Sequence, residues 1–365
     1  MLDFLSLKPE SFGLDISDLS LKIIKLKKRG KKFDLSSFGE EKIKPGIIRG
    51  GEIKKEKELI KIIQKAIRNV KGGKLKTNYL IASLPEEKTF LQVIQMPRLS
   101  EEDLKSAVIY EAENYIPLPI EEVYLDSQIV PPVYNHLDHY DVLIVALPKN
   151  IVDPYLRCLK SAGLKPLAFE IESLATARAL IKDEKTTSPV LIIDLGATKT
   201  SFIIFSGYSL RFTSLIPVSS QSFTNAISQT LKVSFNEAEK LKLKYGLITK
   251  ASPKGGEVFD ALIPSLTDLV EQIKKYLDYY QTHTSHEHLP PGNREVKKII
   301  LCGGGANLAG LPEFLSDQLN LEIELGNPWV NILSEKQKNS LKFPHEKSLS
   351  YTTALGLALR GLKND

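Results

Sequence analysis

The stretch VLIIDLGATKTSFIIF, residues 190–205, carries the pattern that decides the fold. It predicts a buried strand that ends near Asp194, then a glycine turn, then the first strand of a hairpin. A similar pattern stands near the start of the chain, where FGLDI at 12–16 places Asp15 before a turn and a second strand. The repeated strand, acidic turn and strand predict two similar α/β halves around one cleft.

The turn after Asp194 has the composition of a phosphate and magnesium site. Gly196 lets the backbone approach an anion closely, and successive N–H groups of such a turn can hold phosphate oxygens. Thr198 and Thr200 add hydroxyl groups, and Asp194 could bind Mg²⁺ through water. The alternative interpretation is a plain β-turn whose acidic residue caps the backbone.

Two later segments suit the remainder of a nucleotide. Gly303–Gly305 lie between a strand and a helix, where glycines would let an adenine or ribose lie on the chain. A tight strand–helix connection is the alternative, and the spacing does not match a dinucleotide fingerprint. Glu239 and Lys242 share one helix face, for which helix capping and surface ion pairing are the simpler explanation and contact with a ribose and base the alternative.

Composition excludes several classes of protein. Lys and Arg number 49 against 44 Asp and Glu, and this net charge of +5 is weak evidence for nucleic acid binding, so no nucleic acid partner is predicted. Two cysteines exclude a disulfide scaffold and a four-cysteine zinc site. The apolar runs are too short for a spanning helix. We therefore expect a cytoplasmic protein that meets a membrane only through a partner.

Residues 84–165 form a small unit of their own in the sequence pattern. Strands and helices alternate there, and the helix predicted over residues 100–115 buries Leu104, Val108 and Tyr115. The predicted organisation is a first part of lobe I at 1–83, an inserted subdomain at 84–165, and the rest of lobe I with lobe II at 166–365.

Together these motifs resemble the actin-like ATPase superfamily and, within it, the PilM family of type IV pilus assembly proteins, relatives of the division protein FtsA. The resemblance covers nearly the whole chain. The segment EAENYIPLPIEE, residues 111–122, favours the pilus family over FtsA or sugar kinases. The resemblance implies two similar α/β lobes around a nucleotide cleft, with an inserted small α/β subdomain.

The resemblance also implies roles for individual residues. Asp15 and Asp194 would flank Mg²⁺, and Glu172 would position the attacking water. The residues implied to contact ATP or ADP are Asp15, Ser17, Ser20, Lys22, Asp194, Gly196, Thr198, Glu239, Lys242, Gly303, Gly304 and Gly305.

The first turn departs from the family pattern. A glycine and small hydroxyl residues usually follow the first aspartate, whereas Ser17, Asp18 and Leu19 stand here. At about 4 Å and an effective dielectric of about 20, repulsion between Asp18 and a phosphate charge is about 4 kcal/mol. Ser20 and Lys22 still fit. We therefore expect ATP binding with weak or absent hydrolysis.

As a member of this family the chain would be a scaffold at the inner face of the cytoplasmic membrane. It would bind the cytoplasmic N-terminal tail of a PilN-like inner-membrane protein, as an added strand in a groove beside the insert. Pilus motor components and self-association into rings or filaments are further implied contacts. The alternatives are a sugar or acid kinase of the same superfamily and an FtsA-like filament protein. No amphipathic segment follows the last core helix, so we expect no direct membrane insertion.

Overall fold

The computed structural model describes residues 9–30, 32–134, 137–248, 252–333, 343 and 345–362 of the 365-residue chain. The strands in the described ranges are β1 Phe12–Ile16, β2 Ser20–Arg29, β3 Lys32–Lys42, β4 Ile48–Arg49, β5 Glu52–Ile53, β6 Lys71–Gly72, β7 Tyr79–Leu84, β8 Phe90–Pro97, β9 Val123–Val130, β10 His139–Pro148, β11 Lys165–Ile171, β12 Val190–Leu195, β13 Thr200–Ser206, β14 Ser209–Ile216, β15 Lys298–Cys302 and β16 Glu322–Leu325. The helices there are α1 Glu56–Arg68, α2 Glu101–Ala112, α3 Lys149–Ser161, α4 Glu172–Leu180, α5 Ser220–Leu231, α6 Phe235–Tyr245, α7 Pro253–His283, α8 Leu311–Leu319, α9 His345–Ser348 and α10 Thr352–Arg360. Among these helices, none has the length and apolar character needed to cross a bilayer.

Two sheets repeat one strand order. The first, lobe I, runs β11-β7-β1-β2-β3-β6, and the second, lobe II, runs β14-β13-β12-β15-β16. In each, a central strand pairs antiparallel with the hairpin strand after it and parallel with a later strand. The central strands β1 and β12 are apolar apart from their acidic residue, as strands covered on both faces are. This duplication confirms the predicted two-lobed actin-like architecture.

Helices α4 and α10 lie where the lobes meet. α4 packs on β7 and β11 of lobe I and on β13 and β14 of lobe II, and α10 packs on α4 and β1. The Thr176 and Thr353 hydroxyls are 3.0 Å apart in this contact. A Cβ at Gly356 would overlap the backbone of Ala175, so only glycine permits the helices to approach this closely. Chain segments from both ends of the sequence therefore complete lobe I.

A third sheet, β8-β10-β9, carries α2 on one face and has a hydrophobic core of its own. Leu104 and Val108 are buried in this core as predicted. The prediction for Tyr115 is wrong, because its side chain is 48% exposed. α2 ends at Ala112, so Tyr115 stands in the turn beyond it and the helical period no longer places it inward.

Helix α3 belongs to lobe I, although the sequence pattern assigned it to the unit 84–165. Its buried Tyr155 and Leu159 join the main core, and α3 packs against α1. The separate core is built from β8, α2, β9 and β10 and the turns that join them. We therefore propose residues 90–148 as the inserted subdomain, called the insert below.

Candidate nucleotide cleft and partner groove

A cavity of about 490 Å³ lies between the lobes, at the carboxyl ends of β1 and β12. Antiparallel hairpins beside each of these strands turn their loops towards it. The predicted residues that line the cavity are Asp15, Ser17, Ser20, Lys22, Glu172, Asp194, Gly196, Thr198, Gly303 and Gly304. Glu239, Lys242 and Gly305 are absent from its lining. Residues from turns about 180 positions apart in the sequence thus meet in one cleft.

Two of the carboxylates that line the cleft, Asp15 and Asp194, come one from each lobe. Burial, together with the charge of Asp15 and against that of Lys22, raises the pKa of Asp194 to about 6. Asp15 accepts a hydrogen bond of 3.1 Å from the Ser83 hydroxyl, and its other oxygen lies 4.0 Å from the Lys22 ammonium. The pair of carboxylates in a partly desolvated site favours a bound cation.

The donor set fits magnesium carried by a nucleotide. Mg²⁺ prefers oxygen ligands, keeps several waters and is usually held by one or two carboxylates together with phosphates. Within the described ranges no group of three or more Asp, Glu, His or Cys side chains could hold a metal. Asp15 and Asp194 would therefore hold Mg²⁺ only together with phosphate oxygens and water, and the ion would neutralise phosphate charge at this point.

The first phosphate turn is closed by its own serines. The Ser17 N–H and hydroxyl donate to the Ser20 carbonyl at 2.9 and 3.1 Å. Asp18 lines the cleft, but its two carboxylate oxygens accept hydrogen bonds from the backbone N–H groups of Gly50 and Gly51, at 2.9 and 3.0 Å. These bonds direct the Asp18 carboxylate towards the turn between β4 and β5 and partly neutralise its negative charge. The repulsion of about 4 kcal/mol is therefore an upper bound.

The second phosphate turn joins the cleft to the start of α5. Gly196 donates its N–H to the Lys199 carbonyl at 3.0 Å, and the Ser220 N–H donates to the Gly196 carbonyl at 3.0 Å. Thr198 lines the cleft. The Thr200 hydroxyl, which the sequence suggested for the phosphate turn, is buried and donates instead to the Val218 carbonyl at 2.7 Å. The N-terminus of α5 adds a favourable potential for an anion.

The glycines after β15 differ in what they face. Gly303 has a φ of +82°, and a Cβ there would overlap the Asp194 carboxylate. At Gly304 the nearest atom to an added Cβ would be the Ser350 Cβ at 3.8 Å, so this backbone borders open cleft. Gly305 faces the Leu195 side chain and is a packing residue. Gly303 and Gly304 thus line the cleft, and their contact with adenosine stays a prediction.

Lys199 forms a charge cluster that sequence reasoning missed. Its ammonium lies 2.5 Å from a Glu87 oxygen and 2.9 Å from a Glu172 oxygen. Burial opposes the charge of Lys199, but the two carboxylates outweigh it and raise its pKa. Burial also raises the pKa of Glu172, against the effect of Lys199. Glu172 borders the cleft as predicted but holds a lysine, so its role towards water stays a prediction.

Glu239 and Lys242 join α6 to α5. The Lys242 ammonium donates to the Ser220 carbonyl at 2.9 Å and the Thr224 hydroxyl at 2.8 Å, and lies 2.8 Å from a Glu239 oxygen. Burial lowers the pKa of Lys242. These contacts stabilise the helix that starts at the second phosphate turn. Contact of either residue with ribose or base stays a prediction.

A second cavity, the partner groove, lies between the insert and lobe I and has a volume of about 570 Å³. Its walls are the edge strand β9 and the strand β10 of the insert, and α3, α4 and the edge strand β11 of lobe I. Its apolar lining includes Leu84, Leu125, Leu143, Val145, Leu147, Val152, Leu156, Phe169, Ile171 and Leu174. An apolar cleft between two edge strands suits an extended peptide.

The charged end of the partner groove is built around Glu170. Arg178 contacts both Glu170 oxygens, at 2.5 and 2.6 Å, and Arg360 lies 3.5 Å from one of them. Arg360 also donates to the Phe169 carbonyl of β11 at 3.2 Å. Glu184 also lies 3.5 Å from Arg178, so two arginines face two carboxylates beside the apolar lining.

The duplicated lobes, the facing acidic turns and the inserted third sheet define an actin-like ATPase fold. The chain belongs to the family described as type IV pilus assembly protein PilM, whose model matches residues 13–362. A solved PilM–PilN type IV pilus biogenesis complex contains a chain of 25% identity and TM-score 0.79, covering 98% of this chain and 100% of that one.

More distant relatives share the fold. MreB5 of Spiroplasma citri, solved bound to ADP, has 12% identity and a TM-score of 0.54, covering 96% of both chains. The cell division protein FtsA of Pseudomonas aeruginosa is 24% identical over 235 residues, 61% of this chain and 54% of FtsA. The chain spans about half the length of most of the curated FtsA relatives it matches first.

Proposed function

We propose that the chain is a nucleotide-binding scaffold of type IV pilus assembly, or of a related secretion system, that binds the cytoplasmic N-terminal tail of a PilN-like inner-membrane protein. In this role it lies in the cytoplasm and reaches the inner membrane through that partner. Pilus motor components are its further contacts. The scaffold links the envelope complex to the motor, so its activity is binding and positioning.

The partner groove is the observation that carries this proposal. β9 and β11 are edge strands, so either can accept a peptide strand through main-chain hydrogen bonds. Because side chains alternate along a strand, every second residue of the tail would enter the apolar lining. The solved PilM–PilN complex, which this chain matches over 98% of its length, supports a PilN-like occupant.

The cleft supports ATP or ADP with Mg²⁺ as the bound nucleotide. The two phosphate turns belong to different lobes, so a nucleotide held by both would favour one relative position of the lobes. Bound nucleotide supplies the phosphate charge that Mg²⁺ and the turn N–H groups neutralise. Glu172 is engaged by Lys199 and Asp18 adds negative charge, so we expect weak or absent hydrolysis.

Calorimetry with a synthetic tail peptide tests the groove. Val145→Asp places a carboxylate in the apolar lining and should weaken peptide binding at least tenfold. Ile129→Asp is the matched control, because Ile129 is on β9 of the same insert, is 43% exposed and is absent from the groove lining. Thermal unfolding checks that both variants fold. Equal peptide affinity in Val145→Asp and wild type would refute the groove as the binding site.

A further inference from the structure

Two ion pairs join lobe II to the insert and to the segment that leads into it. Lys199, just before β13, contacts Glu87, just before β8. Arg211 of β14 contacts Asp141 of β10 at 2.5 Å, and these two side chains are 3% and 5% exposed. We call the two pairs the ties. Both lobe II residues belong to the hairpin that begins at the second phosphate turn.

Backbone contacts reinforce the ties. The Val133 and Tyr134 N–H groups, in the segment after β9, donate to the His288 carbonyl of lobe II at 3.1 and 3.3 Å. β8 and β10 also pack against β14. A buried ion pair is costly to break because the remaining charge loses its partner. The insert is therefore held to lobe II at β10 and after β9, and the segment that leads into the insert is held at Glu87.

The other wall of the partner groove belongs to lobe I. α3, α4 and β11 form that wall, while β9 and β10 form the insert wall. The chain crosses from lobe I to the insert only at the segments before β8 and after β10. The insert also touches lobe I through an exposed hydrogen bond from the Tyr124 hydroxyl to Asp153 at 3.0 Å. An insert that follows lobe II rather than lobe I changes its distance from α4 and β11 when the lobes move relative to each other.

The ties differ in their distance from the nucleotide. Lys199 lines the cleft, so a phosphate there competes with Glu87 and Glu172 for its ammonium. Arg211 and Asp141 do not line the cleft, so a ligand there would not compete for their charges. Lys199 is thus placed to contact a nucleotide, and Arg211 is placed to transmit a movement of lobe II to the insert.

We propose that the ties couple the nucleotide cleft to the partner groove, so that nucleotide binding changes the width of the groove and its affinity for the tail. This coupling rests on the proposed function, since it needs both ligands. It gives the nucleotide a regulatory role that requires no hydrolysis. By thermodynamic linkage, the tail changes nucleotide affinity by the same factor.

The test measures tail-peptide affinity by calorimetry with and without saturating Mg–ADP. Wild type should show a change of roughly fivefold or more, the usual range of such coupling. The ratio of peptide affinities with and without Mg–ADP should fall close to one in two variants. These are Glu87→Gln and the double variant Asp141→Val with Arg211→Met. The double variant removes both charges together, because an apolar pair often replaces a buried ion pair without loss of stability. Lys254→Met, which removes an exposed lysine 2.9 Å from Glu257 in lobe II, should keep the wild-type ratio.

A ligand-free measurement separates the coupling from the proposed function. Spin labels on cysteines placed at exposed Glu113 of the insert, Gln229 of lobe II and Lys57 of lobe I report two distances, and both native cysteines are buried. The insert–lobe II distance should be narrowly distributed in wild type and broad in both tie variants. Titrations with a single ligand that show no binding would refute the proposed function and not the coupling. An unchanged coupling ratio, or an equally narrow distance in the tie variants, would overturn the coupling.

Discussion

Asp194→Asn should stabilise the ligand-free protein and abolish magnesium-dependent nucleotide binding. Burial and Asp15, opposed by Lys22, raise the pKa of Asp194 from 3.8 to about 6. One pKa unit corresponds to about 1.4 kcal/mol, so the ionised carboxylate costs the folded state about 3 kcal/mol. Asparagine has nearly the same shape without the charge. The free energy of unfolding at pH 8 should therefore rise by up to about 3 kcal/mol.

The gain in stability should depend on pH in a defined direction. Because the folded state raises the pKa of Asp194, the wild type becomes more stable as the pH falls through about 6 towards 3.8 and the carboxyl is protonated. Asparagine does not titrate. The difference between variant and wild type should be largest above about pH 6 and vanish below the ordinary pKa of 3.8.

Urea unfolding followed by circular dichroism at several pH values measures this difference, and calorimetry with Mg–ADP measures binding. Asp317→Asn, on the exposed surface of α8, is the matched control and should change neither quantity. An Asp194→Asn variant less stable than wild type at pH 8 would refute the reasoning. That result would mean that Asp194 caps its turn, which is the alternative interpretation of the sequence.

Two substitutions test the cleft, and one sedimentation assay tests recruitment to the membrane. Gly304→Val should abolish nucleotide binding measured by calorimetry, because the valine side chain would enter the open cleft beside Ser350. If the variant binds nucleotide with wild-type affinity, the adenosine lies elsewhere. Asp18→Ser should lower the free energy of unfolding by about 1–2 kcal/mol, through lost hydrogen bonds to Gly50 and Gly51, while nucleotide affinity rises; weaker nucleotide binding would contradict the predicted repulsion. In sedimentation with neutral liposomes the protein should stay in the supernatant and be recruited by a lipid-anchored tail peptide, and tight binding to the bare liposomes would contradict recruitment through a partner.

The sequence predicted the features that depend on short segments. Asp15 and Asp194 each stand near the end of a buried strand, directly before a turn, and the apolar run and the acidic residue are visible within about ten positions. The repeat of this pattern was enough to predict two lobes with a cleft between them. The glycines at 303 and 304 were recognisable for the same reason, since the strand before them and the helix after them are both local.

The sequence contains no comparable signal that predicts contacts between distant segments. Glu87 and Lys199 are 112 positions apart, and Asp18 meets Gly50 and Gly51 at separations of 32 and 33. Only the order of strands in the sheets brings these groups together. Tyr115 was wrongly predicted to be buried. The spacing of apolar residues indicates which face of a helix is buried, but it does not indicate the residue at which the helix ends.

The packing of α10 on β1 and α4 has a consequence for synthesis on the ribosome. β1 begins at Phe12 and α10 at Thr352, so at about 5–20 residues per second β1 is translated roughly 20–70 s before the helix that covers it. Through that interval the nascent lobe I exposes the apolar surface that α10 will bury. Lobe II, built from residues between them, can fold first, and the protein should depend on ribosome-associated chaperones until translation passes α10.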